Sequence, residues 1–153
     1  MKVLNKMLIG VASVAMLTAC ASKTDYDSFH KKAVEAAEKA KEVSYSAVTV
    51  SGSYVDNDGK KQDWDKITVS FDKGIFKPTN LTHVDEITIA GILNLATAQL
   101  VGNTDNTTFY AGSSFKVVYE KDDTKSTKLY NQYGLLTSSK SSDGDNLKVS
   151  YKK

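Results

Sequence analysis

The chain has 153 residues, with 20 Lys and no Arg, 18 acidic residues, two His, one Cys, one Pro and one Trp. A single thiol excludes a disulfide framework and a multi-cysteine zinc site, and a length near 150 fits one domain. The charged share, 25%, and the hydrophobic share, 41%, belong to a globular protein and not to a disordered one.

Lys2 and Lys6 make a basic start, and an apolar run from Met7 to Leu17 follows, broken only by Gly10 and Ser13. As a helix that run would cover about 16 Å, roughly half of a bilayer's hydrocarbon core, so it is no transmembrane span. A basic start, a short apolar core and small residues after it make a secretory signal peptide. Leu17-Thr18-Ala19-Cys20 resembles the bacterial lipobox, and the sole Cys falls at the place that motif requires. The resemblance implies cleavage between Ala19 and Cys20, with a covalent diacylglycerol on the Cys20 sulfur and an N-acyl chain on its amine. The plainer reading, an ordinary small residue near another cleavage site, would leave a lone free thiol in a secreted protein. Two or three long chains, at about 0.8 kcal/mol per buried CH₂, hold far better than a single myristoyl. The expected location is the cell envelope, on the extracytoplasmic face of the cell membrane. Ala21 after the cysteine resembles an outer-membrane signal where a second membrane exists.

Without the signal, residues 20–153 hold 18 Lys against 18 acids, a formal balance of zero. No basic field remains to attract nucleic acid, and arginine, the commonest specific base reader, is missing. The expected organisation is 1–19 as signal peptide, 20–27 as lipidated cysteine and tether, and 28–153 as a single α+β domain acting as a monomer.

Asp25 or Asp27 can cap a helix that begins near Ser28. Phe29, Ala33, Ala36, Ala37, Ala40 and Val43 give it an apolar stripe of mostly small side chains. Lys31, Lys32, Glu35, Lys39 and Glu42 line the other face, with Glu35 and Lys39 at i,i+4. The period then switches to two. Tyr45 to Tyr54 alternates, with Val48, Val50 and Tyr54 on one side and Tyr45, Ala47 and Thr49 on the other. Asp56-Asn57-Asp58-Gly59 is a turn, Lys66 to Phe71 resumes as a strand, and Asp72-Lys73-Gly74 turns into Ile75-Phe76-Lys77 before Pro78. Thr82 to Val101 is apolar almost all round, which predicts a second, largely buried helix, although Ile87-Thr88-Ile89 also suits a strand. From Thr107 onward alternation returns with frequent turns, giving about four more strands. The expected fold is α+β: an N-terminal helix and a curved antiparallel half-barrel of about seven strands, with the second helix on its concave face.

The chemistry-bearing residues are few. His30 and His83 have no neighbouring ligand at metal spacing, and no Gly-x-Ser-x-Gly elbow supports a triad. Asp56-Asn57-Asp58-Gly59 fits a calcium loop badly, with Tyr54 at the first ligand position and Asp65 at the last, so a hairpin turn is the better account. No catalytic residue, metal site or cofactor other than the Cys20 lipid is expected. Eight Tyr, five Phe and Trp64 fall almost all in strand-like segments. They either pack the sheet against the helices or line an apolar cleft between them, and the candidate cleft residues are Phe71, Ile87, Leu93 and Phe115. Trp64 is out of phase with Ile67, Val69 and Phe71, which predicts an exposed position on the other face and a contact for a protein partner.

Phe29 to Val43 runs straight into Tyr45-Ser46-Ala47-Val48-Thr49-Val50, and Val69-Ser70-Phe71-Asp72-Lys73-Gly74-Ile75-Phe76-Lys77-Pro78 follows. With Tyr130-Asn131-Gln132-Tyr133-Gly134-Leu135-Leu136, these segments resemble lipid-binding lipoproteins of the LolA, LolB and LppX type. That resemblance implies a half-open barrel with helices plugging its concave side and a pocket for lipid. The chain departs from it in being short and in lacking the arginine that closes the lid of the carriers. Two readings follow. One is an anchored, non-catalytic binding module for lipid or another amphipathic ligand. The other is a structural or interaction lipoprotein with a filled core that binds an envelope protein.

Overall fold

The computed structural model of the chain describes residues 21–77 and 105–153. In chain order the elements are β1 (Ala21–Thr24), α1 (Tyr26–Ala40), β2 (Ser44–Val55), β3 (Lys61–Asp63), β4 (Ile67–Asp72), β5 (Ile75–Lys77), β6 (Thr107–Gly112), β7 (Phe115–Lys121), β8 (Thr124–Tyr130), β9 (Leu136–Ser141) and β10 (Asn146–Lys152). All strands join one open antiparallel sheet in the order β1-β6-β7-β8-β9-β10-β2-β4-β5, with β3 added to the end of β2. The architecture is α+β, and the seam between β10 and β2 joins the C-terminal meander to the N-terminal hairpins.

The described residues form ten strands and not seven. Within the segment expected as lipidated cysteine and tether, 20–27, Ala21–Thr24 form strand β1, paired with β6 from Ala21↔Gly112 to Thr24↔Phe109, and Tyr26 already opens α1. β3 is another addition, and the segment after Thr107 holds five strands where about four were expected. The reason is common to them. β1, β3 and most of β8 are polar, so their pairing rests on backbone hydrogen bonds to a neighbour, and hydrophobic alternation cannot reveal it. The second helix expected from Thr82 to Val101 lies outside the described residues.

α1 begins two residues earlier than expected, with Asp25 as its cap: the carboxylate accepts from the Ser28 backbone N–H at 2.7 Å. Its buried face is Phe29, Ala33, Ala36 and Ala40, and Ala37 lies at the margin. Small side chains let the helix lie close on the sheet while one phenylalanine fills the space beneath its first turns. Phe29 packs between Phe109 of β6, at 4.9 Å between ring centroids, and Phe115 of β7, at 5.7 Å. The other end of α1 reaches the β4–β5 turn, where Lys73 donates its backbone N–H to the Val43 carbonyl. The sheet therefore follows the helix along its whole length. The ion pair on α1 joins Glu38 to Lys41 at i,i+3 and is well exposed, a geometry that adds little stability.

β2 departs from the expected alternation. Tyr45 is buried on the same side as Val48 and Val50, because a register shift between Tyr45 and Val48 in the pairing with β4 inserts one residue and flips the phase. Tyr45 thereby reaches Phe71 at 5.8 Å and Tyr151 at 5.2 Å. At the far end of β2, Ser53 turns inward and Tyr54 outward, again opposite to the expected phase.

Candidate functional site

Cys20 and Ala19, the residues of the expected lipidation and cleavage site, lie outside the described residues, as do Ile87 and Leu93 of the expected cleft. The other two cleft candidates are placed. Phe71 is 1% exposed, with Phe76 at 4.8 Å in an edge-on contact and Tyr45 on its other side. Phe115 is 3% exposed and its ring meets Phe29 almost perpendicularly. Both belong to a continuous core that includes Phe29, Val48, Leu135 and Leu136. The alternation in the sequence put both rings on the inner face, and Phe29 and the α1 alanines then fill the space over Phe115.

Phe115 does contribute an edge to a surface groove at one end of the sheet. That groove holds about 500 Å³ between the β6–β7 turn, at Ser113 and Ser114, and Leu129, Tyr130, Asn131, Gln132 and Thr137. Its lining is mainly apolar, and half-exposed Leu129 is its outer wall. Beyond it, a shallower depression of about 510 Å³ lies between Lys39, Glu42, Val43, Ser44, Tyr133 and Lys153. Neither is foreshadowed by a linear pattern, because both are made where turns from distant segments meet.

Trp64 lies between β3 and β4 and not within a strand, so its phase relative to Ile67, Val69 and Phe71 does not set its direction. Its backbone N–H donates to the Gly52 carbonyl, which pins the segment to β2. The indole is 39% exposed and tilts against the Tyr54 ring at 6.4 Å. Val55, the next residue of β2, points to the opposite face, where Gly144 lies against it. Two neighbouring exposed aromatic side chains, Tyr54 and Trp64, have no covering element among the described residues.

The displaced carboxylates all act inside turns or caps. Asp56 is held below the usual carboxylate range chiefly by the Lys60 backbone N–H and then by the Gln62 side chain. Asp143 is lowered by the Asp145 backbone N–H, Asp25 by that of Ser28, and Asp72 by the Ser44 hydroxyl followed by Lys77. Asp56 thus spends its oxygens closing the β2–β3 hairpin, the turn role expected for it. Among the described residues no group of three or more His, Cys, Asp or Glu converges as a metal site, and no helix is long and apolar enough to cross a membrane.

Burial acts on the tyrosines. Tyr130 and Tyr151 are pushed well above the ordinary phenol value by desolvation, and Tyr151 is raised further by Tyr45. The Tyr151 hydroxyl donates to the Leu136 carbonyl. A raised folded value means that their contribution is complete below the unfolded value, about pH 10, and is lost as pH climbs toward the folded value. Stability in urea is therefore expected to be insensitive to these groups up to about pH 10, then to fall by up to about 1.4 kcal/mol per pH unit for each buried phenol. Tyr151→Phe should flatten that alkaline slope, a result that urea midpoints measured between pH 8 and 11 can check.

Comparison with protein families, curated proteins and solved structures found no match to this chain.

Proposed function

We propose that the protein is a membrane-anchored extracytoplasmic lipoprotein, lipidated at Cys20, whose α+β domain is a non-catalytic interaction module for a protein partner in the cell envelope. The observation that carries the interaction reading is the Tyr54–Trp64 pair, exposed beside the β2–β3 hairpin. Phe71 and Phe115, two of the four expected cleft residues, are buried in a core with Phe29, Val48, Leu135 and Leu136. Trp64 and Tyr54 remain exposed together on a hairpin, and large aromatics of this kind are enriched at binding hot spots. The lipobox-like Leu17-Thr18-Ala19-Cys20 supports the anchor.

The test separates the two parts. Cys20→Ser is expected to abolish palmitate labelling and release the chain from membranes, and a variant that still labelled would end the anchor reading. Trp64→Ala is expected to keep the anchor and a nearly unchanged unfolding midpoint, while an envelope protein crosslinked through the β2–β3 hairpin is lost. Crosslinking and partner capture unaffected by Trp64→Ala would remove the interaction reading.

The groove beside Phe115, Leu129 and Tyr130 favours a second reading, a module for lipid or another amphipathic ligand. That reading requires lipid retained by the anchorless protein in native mass spectrometry and a thermal midpoint that rises with added lipid. Leu129→Asp would then abolish the rise.

A further inference from the structure

The strand ends form two rims whose charges differ. One rim starts where Ala21 pairs with Gly112 and continues through the β6–β7 turn at Ser113 and Ser114. The apolar groove links that turn to Asn131 and Gln132. The second depression links Tyr133 to Ser44, Lys39 and Lys153, and the Lys73–Val43 hydrogen bond brings in the β4–β5 turn. This rim presents Lys39, Lys73, Lys152 and Lys153 against Glu42, all exposed. Two further lysines, Lys41 and Lys77, pair with Glu38 and Asp72. Ile75, 65% exposed, stands in the same β4–β5 corner, the most exposed large apolar side chain among the described residues.

The opposite rim is acidic on balance, with Lys60, Lys61, Lys121, Lys125 and Lys140 set among more numerous carboxylates. It carries the turns Asp56–Gly59, Asp122–Asp123 and Asp143–Asp145 and the start of α1 with Asp25 and Asp27. Contacts tie these turns together: Ser142 donates to the Asp123 carbonyl, and Gly144 lies against Val55 beside Asp56.

Position along the chain decides which rim meets the membrane. Ala21 is 8% exposed and already paired in β1, so one peptide link, at most about 4 Å between Cα atoms, separates the lipid-bearing residue from the fold. No flexible tether intervenes to let the domain tumble. Ala21 stands on the lysine-bearing rim. We infer that this rim, with Lys39, Lys73, Ile75, Lys152 and Lys153, is the face that lies on the anionic bilayer surface, so that the acidic turns and the Tyr54–Trp64 pair point away from it.

This inference rests on the Cys20 anchor proposed above and adds an orientation to it. Magnitudes favour it. A seven-residue strand such as β7 spans about 23 Å, between two and three Debye lengths at physiological salt. In the inferred orientation the lysines sit within one screening length of the headgroups, and the aspartates lie beyond reach of their repulsion. Inverting the domain would put the acidic turns against an anionic surface. Ile75 beside lysines fits the interface, where an apolar side chain enters and the cations stay with the phosphates.

The sole tryptophan offers a direct test. The full lipidated protein is incorporated into vesicles of phosphatidylcholine and phosphatidylglycerol carrying a lipid spin-labelled at headgroup depth. Emission of native Trp64 is expected to survive the quencher. In a Trp64→Phe background, the Ile75→Trp reporter is expected to lose most of its emission, and so is a second reporter, Gln132→Trp on the β8–β9 turn, should the first variant fold poorly. A quenched Trp64 with unquenched reporters would overturn the orientation while leaving the anchor intact. A chain that fails to float with the vesicles and carries no lipid by mass analysis would remove the anchor, and the orientation with it.

Discussion

Phe29→Ala is expected to lower the unfolding free energy by about 3–5 kcal/mol, read as a drop in the urea midpoint at nearly constant slope. Phe29 is fully buried and is the only large side chain among the four buried positions of α1. Ala33, Ala36 and Ala40 are too small to expand into the space its ring would leave between Phe109 and Phe115. The cavity therefore persists, and the lost aromatic contacts add to it. An amphipathic helix of this length is marginal alone and depends on docking, so helical signal and sheet stability should fall together. Phe29→Leu should be markedly milder. A loss below about 1 kcal/mol for the alanine variant would mean that α1 is held by something other than this face.

Gly52→Ala is expected to destabilise by about 2–3 kcal/mol, the upper part of the usual overpacking range. The sign is informative, since Gly→Ala at a compatible site stabilises by about 0.4–1 kcal/mol through the unfolded chain. Gly52 stands opposite Leu147 on the seam between β2 and β10. A Cβ there would overlap the Asn146 carbonyl oxygen and press on the Leu147 Cα at 3.1 Å. Both obstacles are backbone, so no rotamer can relieve them, and the two halves of the sheet must move apart. Chemical denaturation should show the loss, with hydrogen exchange fastest for β2 and β10 amides. An unchanged or raised midpoint would contradict the close approach of these strands.

Legibility of the fold in the sequence varied by element. α1 was readable because an Asx cap, an apolar stripe at helical spacing and a charged face agree with one another. β2, β4, β7 and β10 were readable from alternation, and Asp-Gly and Lys-Gly turns marked several of their ends. β1 and β3 were invisible, since Ala-Ser-Lys-Thr and Lys-Gln-Asp have no apolar face and exist as strands only because β6 and the end of β2 offer unpaired backbone groups. Tyr45 was assigned to the wrong side because a bulge changes phase without leaving any mark in composition.

The candidate site divides in the same way. Exposure of Trp64 was anticipated, although from a strand phase that does not apply, and its pairing with Tyr54 came from the hairpin. For Phe71 and Phe115 the sequence left packing and cleft lining both open, because the choice depends on which rings lie over them, and both are buried. The groove at Leu129 and Tyr130 joins two turns far apart in the chain.

What the sequence determined alone was local: a basic start with an apolar run behind it, the single thiol after small residues, the first helix, and the alternating segments with their turns. These follow from properties of neighbouring residues, and a linear pattern records them in full. Tertiary structure alone decided how many polar segments pair as strands and which side a tyrosine faces after a bulge. It also gathered lysines and aspartates, intermixed along the chain, onto opposite rims. Each of these depends on backbone hydrogen bonds and contacts between residues distant in sequence, and such partners exist only once the chain has folded.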